Sequence, residues 1–185
     1  MTWPTGKPSA APPGRLSGAA LVVGLLALGA ALAAFALGFQ RWQTHRCLDF
    51  YGARVARAIT SAPVVELWQL GPGSGPGRLA GIRRCEVSAA PGLVHLRRGL
   101  VEDANFAWRP RGEPRLAADA WAVALAFRPA AGAAPVAVVV FGAGADGGEM
   151  CVVGRPGRIG LGRLDKGLRT WIGTACPGLD LQRRE

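Results

Sequence analysis

The chain has 185 residues, half of them hydrophobic, with 22 lysines and arginines against 12 acidic residues and a formal net charge of +10. That apolar content excludes a wholly disordered chain, and the roughly 145 residues left beyond an apolar N-terminal segment suffice for one domain with a core, not two. The basic balance invites anionic partners, but the arginines come in short separated pairs such as Arg83-Arg84, Arg97-Arg98 and Arg183-Arg184. No RRM, KH, zinc-finger or helix-turn-helix signature accompanies them, so nucleic acid is not an expected partner; a basic surface near anionic lipid headgroups is the simpler reading.

In chain order, residues 1–15 hold four prolines and few large apolar side chains, which predicts a disordered tail. Residues 16–39 carry no charge. At 1.5 Å per residue they are long enough to cross about 30 Å of hydrocarbon, so the segment is expected to be a transmembrane helix with the lipid bilayer as its partner. Lys7, Arg15 and the small residues Ala34 and Ala36 also suit a cleaved signal peptide, but signal h-regions run to only about 7–15 residues. Within the span Ser17, Ala20, Gly24, Ala27, Ala31, Ala34 and Gly38 recur at steps of three and four. They form a small-residue stripe along which another helix can approach, although more than half of the span is Ala, Gly or Ser, a composition in which such a stripe also arises by chance.

Two signals conflict over orientation. Arg41, Arg46, Arg54 and Arg57 follow the span closely, which by the positive-inside bias puts the rest of the chain in the cytoplasm. Cys47, Cys85, Cys151 and Cys176 all lie beyond the span, even in number and without a CxxC pair, which fits two disulfides in an oxidising compartment. Because long domains translocate with little regard to flanking charge, the reading leans to an extracytoplasmic domain on a bacterial inner membrane.

Residues 40–61 contain no proline, and Leu48, Tyr51, Val55 and Ile59 fall at helical spacing, predicting that the anchor continues as a stalk helix. An α+β domain is expected over 62–178, with a polar tail at 179–185. VVELWQL reads as a strand, with Val65, Leu67 and Leu70 opposing Val64, Glu66 and Trp68. The glycine-rich connector 71–77 leads to a second strand in LAGIRRCEVS. A helix is expected over 91–108, with Ser88 near its N-cap, Leu93, Leu96, Leu100 and Ala104 on its apolar face, and His95, Arg98 and Glu102 opposite. WAVALAFRP, APVAVVVFG, GEMCVVG and RIGLG then read as strands of an antiparallel meander, and a last helix runs over 164–172. The fold class is therefore α+β: a transmembrane helix, a stalk, and an antiparallel sheet of about five strands with helices on one face. Cys151 with Cys176 is the first disulfide expected, the connectivity itself being underivable from sequence.

Chemistry is sparse. Gly142, Gly144 and Gly147 spell GxGxxG after a hydrophobic strand, but the sequence returns at once to strand where a dinucleotide site needs a helix, so Asp146-Gly147 is read as a hairpin turn. Gly71 to Gly77 is not a serine elbow, because Pro72 occupies the place of its first glycine. There is no Walker A loop or HExxH, and His45 and His95 have no evident nucleophile partner. No catalytic, cofactor-binding or metal residues are assigned, no cofactor is expected, and the reading is of a non-enzyme.

An apolar helix running into a stalk, followed by an antiparallel sheet with cysteines near the C-terminus, resembles the layout of type IV pilins and secretion pseudopilins. The resemblance implies processing after a leader glycine, with glutamate at the fifth mature position. Here Gly14 would give Ala19, not glutamate, at the fifth mature position, and the helix over 91–108 is an insertion relative to that layout. The leading expectation is an anchored non-enzymatic subunit or assembly partner acting through protein contacts or self-association. A pilin-like component comes second, and an anchored enzyme or ligand-binding domain third.

Overall fold

The computed structural model describes residues 18–71, 74, 79–108, 121–144 and 147–179. Residues 1–16, Ser17 at the head of the small-residue stripe, most of the glycine connector, residues 109–120, residue 145 with Asp146, and residues 180–185 lie outside them. The chain divides into two units, Met1–Gln40 and Arg41–Glu185.

In the first unit, residues 18–40 are the first part of helix α1 (Gly18–Ser61). Its apolar character runs all round the helix, and Leu25, Leu26, Phe35 and Leu37 are each about 70% exposed. α1 is long and apolar enough to cross a membrane. The stripe residues Ala20, Gly24, Ala27, Ala31, Ala34 and Gly38 all lie on this part of it.

The second unit is α+β. Six strands, β1 (Val64–Leu70), β2 (Gly81–Glu86), β3 (Trp121–Arg128), β4 (Ala137–Gly144), β5 (Gly147–Val152) and β6 (Ile159–Gly160), form one antiparallel sheet in the order β2-β1-β3-β4-β5-β6. Strand alternation sorts their side chains onto two faces. Val65, Leu67, Val123, Leu125, Phe127, Val139, Phe141, Met150 and Val152 share a core cluster with residues of α1, α2 (Leu93–Gly99) and α3 (Leu164–Ala175). Trp68, Leu70, Trp121, Ala124, Ala126, Val138, Val140 and Cys151 form the other cluster, in which every buried residue comes from a strand.

Two register details correct the simple alternation. Leu70 lies with Trp68, not with Leu67, as even numbering along β1 requires. Trp121 joins Ala124, not Val123, because the β3–β4 ladder slips between Trp121 and Val123, and an extra residue in a strand reverses the face of the residues beyond it. The GxGxxG segment is part of a β-hairpin: β4 and β5 pair through Gly142↔Glu149 to Gly144↔Gly147, leaving no helix to open at a phosphate.

Residues 41–61, expected as a stalk, belong to the α+β unit. Cys47, Tyr51, Ala56, Ala58 and Ile59 are buried in the first cluster, whereas Leu48 is 41% exposed. The helical path is broken at Gly52, which has φ 70° and ψ 156°, a region open essentially only to glycine. The break frees backbone carbonyls, and Arg155 answers them: its Nε donates to Phe50 O at 2.9 Å and its Nη2 to Asp49 O at 3.4 Å, a cation at a helix C-terminus. Where Ser88 was expected to cap α2, its Oγ instead accepts from the Val65 N–H and donates to Glu86, tying the end of β2 back to the start of β1. α2 is also shorter than its apolar spacing suggested. It stops at Gly99, where Asn105 Nδ2 donates to the Gly99 carbonyl at 3.0 Å, and Asp103–Asn105 form a separate 3-10 turn.

Candidate functional site

The described residues enclose one notable cleft, of about 570 Å³, between residues 42–46 of α1 and the segment from Arg98 to Trp108. Asp103 is its organising residue. Its Oδ2 accepts from the Arg46 backbone N–H at 3.0 Å and its Oδ1 from the Cys47 N–H at 2.7 Å, the service a capping carboxylate gives at a helix N-terminus. His45 Nδ1 lies 3.3 Å from the same Oδ2 and 2.8 Å from the Trp42 carbonyl.

Aromatic rings form the rest of the wall. Trp108 Nε1 donates to the Asp103 carbonyl at 2.8 Å, which fixes the indole. Phe106, on the same wall, and Phe50, outside the lining, meet it edge to face, at 5.9 and 6.4 Å between centroids. The Arg46 guanidinium stands 6.0 Å from the Trp108 ring, within cation–π range. At the rim Arg98 Nε bonds Glu102 Oε1 at 2.9 Å, the helix-surface pair that the sequence spacing predicts. Trp42 is 68% exposed, unlike Trp68 and Trp121, which are core residues.

The Cys47 thiol is pushed far above its ordinary value, first by burial and then by the neighbouring Asp103 carboxylate, so it is not a nucleophile at neutral pH. What the cleft offers a ligand is indole and phenyl surface with the guanidiniums of Arg46 and Arg98. Among the described residues no three His, Cys, Asp or Glu side chains converge as a metal site.

This cleft is not legible in the sequence, where Glu102-Asp103 reads as solvated surface and His45 lacks a partner; only the fold brings residue 103 to residue 46. The one available signal was the pair of tryptophans, Trp42 and Trp108, outside any strand pattern. His95 is exposed, as its helix position predicted. Cys151 and Cys176, the disulfide first expected, are not brought together: Cys151 belongs to the strand-only cluster and Cys176 to the helix-side cluster, so the sheet separates them. No disulfide joins the four cysteines in this structure, and the thiol neighbouring Cys176 is that of Cys85.

Comparison of the chain with protein-family models, with curated proteins and with solved structures gives no match.

Proposed function

We propose that this chain is a membrane-anchored, non-enzymatic component of a membrane or envelope complex: residues 16–39 hold it in a bacterial inner membrane, and its extracytoplasmic α+β unit works through protein contacts. The observation that carries this reading is the contrast in burial. Large apolar side chains from Leu21 to Phe39 are exposed, while the second unit has a core of its own. Such a helix needs lipid or another helix around it, and its small-residue stripe suits the second. Chemical cross-linking in intact membranes, followed by gentle solubilisation, tests the idea. Cross-linked species that weaken when Gly24 and Ala31 are replaced by leucine are expected; a lone monomer under all conditions would overturn it.

Sidedness is tested with a membrane-impermeant thiol reagent on intact cells. Cys85 is the half-buried cysteine and the other three are buried, so labelling of Cys85 in intact cells, before or after an impermeant reductant, reports the side, and protection until lysis under both conditions would place the unit in the cytoplasm.

A second reading, an anchored ligand-binding domain, is favoured by the cleft around Asp103. Titration of the solubilised protein with short-chain phosphatidylglycerol should then shift tryptophan emission, and Arg46→Ala should abolish the shift. No shift with the unsubstituted protein would remove this reading.

A further inference from the structure

We propose that Cys85 and Cys176 form a disulfide that fastens the edge strand β2 to the end of α3, while Cys47 and Cys151 remain thiols. Where the bond forms in the cell rests on the extracytoplasmic reading above; whether it can form does not.

The placement comes from strand register. Cys85 pairs with Leu67, and opposed residues of two strands share a face, so Cys85 points to the helix side, where it packs on the first core cluster. Arg83 lies two residues before it and therefore on the same face. A Cβ on Gly178 would stand 3.1 Å from Arg83 Nη1, so the chain leaving α3 passes over this face of β2. Cys176 is the C-cap residue of α3 and is 1% exposed in the same cluster. Its thiol neighbours that of Cys85, close enough for each to feel the other's charge.

The other thiols are placed elsewhere. Cys151 lies across the sheet. Cys47 sits among Asp103, Glu102 and Tyr51.

Exposure sets the order of the chemistry. Cys85, half-buried on an edge strand, is the sulfur a reagent reaches. Cys176 is 1% exposed, and burial, then Cys85 itself, push its thiol up to about 11, with Arg83 pulling the other way, so it does not initiate; its place beside Cys85 on the same core cluster makes it the resolving thiol. The oxidant is a disulfide, either glutathione disulfide or the catalytic disulfide of an oxidoreductase. The Cys85 thiolate, its proton given to solvent, attacks one sulfur of the donor and expels the other as a thiolate. Cys176 loses its proton and attacks the Cys85 sulfur of the mixed disulfide, and the second donor thiolate leaves. One donor disulfide becomes two thiols, and two protein thiols become one disulfide.

The experiment uses the full chain, purified reduced in detergent, incubated with glutathione disulfide, trapped by alkylation and mapped by mass spectrometry. A Cys85–Cys176 cross-linked peptide is expected, with Cys47 and Cys151 alkylated only after unfolding. Cys85→Ser should lose the cross-link without transferring it to Cys151, and Cys151→Ala should keep it. A bond containing Cys47 or Cys151, or glutathione retained on Cys85 without resolution, would overturn the proposal. Alkylation of intact cells before lysis separates the two readings. The cross-link found in cells supports both, whereas a pair that oxidises readily in detergent yet is reduced in cells overturns the extracytoplasmic placement alone.

Discussion

The two parts of α1 share one helical segment and obey opposite rules. Over 18–40 the large side chains are exposed, Leu25 at 69% and Phe35 at 72%. Over 41–61 Tyr51 and Ile59 are completely buried and Cys47 nearly so, while Arg46, Arg54 and Arg57 are exposed. The first part is apolar on every side and matches lipid; the second has one apolar face and matches a sheet. Helical propensity is common to both, so what differs is the medium each requires, and a substitution in one part should leave the other part's assay unmoved.

The largest effect should come from charging the first part. Leu25→Arg with Leu28→Arg adds roughly 5–7 kcal/mol to insertion, at about 2.5–3.5 kcal/mol per arginine near the middle of a span. The chain should leave the membrane fraction on ultracentrifugation, while the melting temperature of the α+β unit stays where it was. Ile59→Ala is the converse. Loss of a fully buried isoleucine costs about 2–5 kcal/mol, read by denaturant melts of the solubilised protein, with membrane fractionation unchanged. If either variant disturbs both assays, the division of α1 into two media is wrong.

Glycine substitution sharpens the same contrast. Gly52 has positive φ, and an added Cβ would lie 2.5 Å from Arg155 Nη1, so Gly52→Ala must both strain the backbone and displace the arginine that answers Phe50 and Asp49. A loss of about 2–3 kcal/mol is expected from the two effects, measured by chemical denaturation. At Gly29 an added Cβ would meet nothing within 4 Å, and φ is ordinary for a helix, so Gly29→Ala should leave the melt alone.

The second part also carries a titratable group that the first lacks. Cys47 stays protonated in the folded protein well beyond a thiol's ordinary value of 9.0, whereas the unfolded chain releases that proton near it. Above that pH the unfolded state binds fewer protons, so the stability from this thiol is complete below about pH 9 and declines as pH rises. Between about pH 8 and pH 10, wild type should lose roughly 1 kcal/mol more than Cys47→Ala. Equal slopes would mean that the thiol ionises as easily folded as unfolded.

Much of this organisation was legible in the amino-acid sequence. The apolar span, the β1–β2 hairpin, the meander from Trp121 onward, the last helix and the Arg98–Glu102 pair follow from local periodicity and turn residues. Where the reading failed, the deciding contact was distant in sequence. The break at Gly52 depends on Arg155, which approaches it only once β5 is in place, so a proline-free stretch looked unbroken. The helix expected over 91–108 ends early because Asn105 turns back on Gly99. The cleft was invisible because Asp103 and the Arg46 N–H are joined by tertiary folding alone, and the cysteine pairing depends on which face of the sheet each sulfur occupies, which strand alternation fixes only after the register is known.

The smallest expected effect is the most discriminating for the buried part of α1. Tyr51 is fully buried, and its hydroxyl donates to Met150 Sδ at 3.6 Å. Sulfur is a weak acceptor, so this contact returns little of what it costs to remove a hydroxyl from water. Tyr51→Phe deletes donor and penalty together and should change stability by less than about 0.5 kcal/mol in either direction. Met150→Leu keeps the packing volume but takes away the acceptor, stranding the hydroxyl at a cost of about 1–3 kcal/mol. The double variant should then be nearly as stable as Tyr51→Phe alone, because without the hydroxyl nothing is left to satisfy. If Tyr51→Phe is instead strongly destabilising, the hydroxyl has a better partner than sulfur, and the interior face of α1 is more polar than the contrast with its exposed apolar part allows.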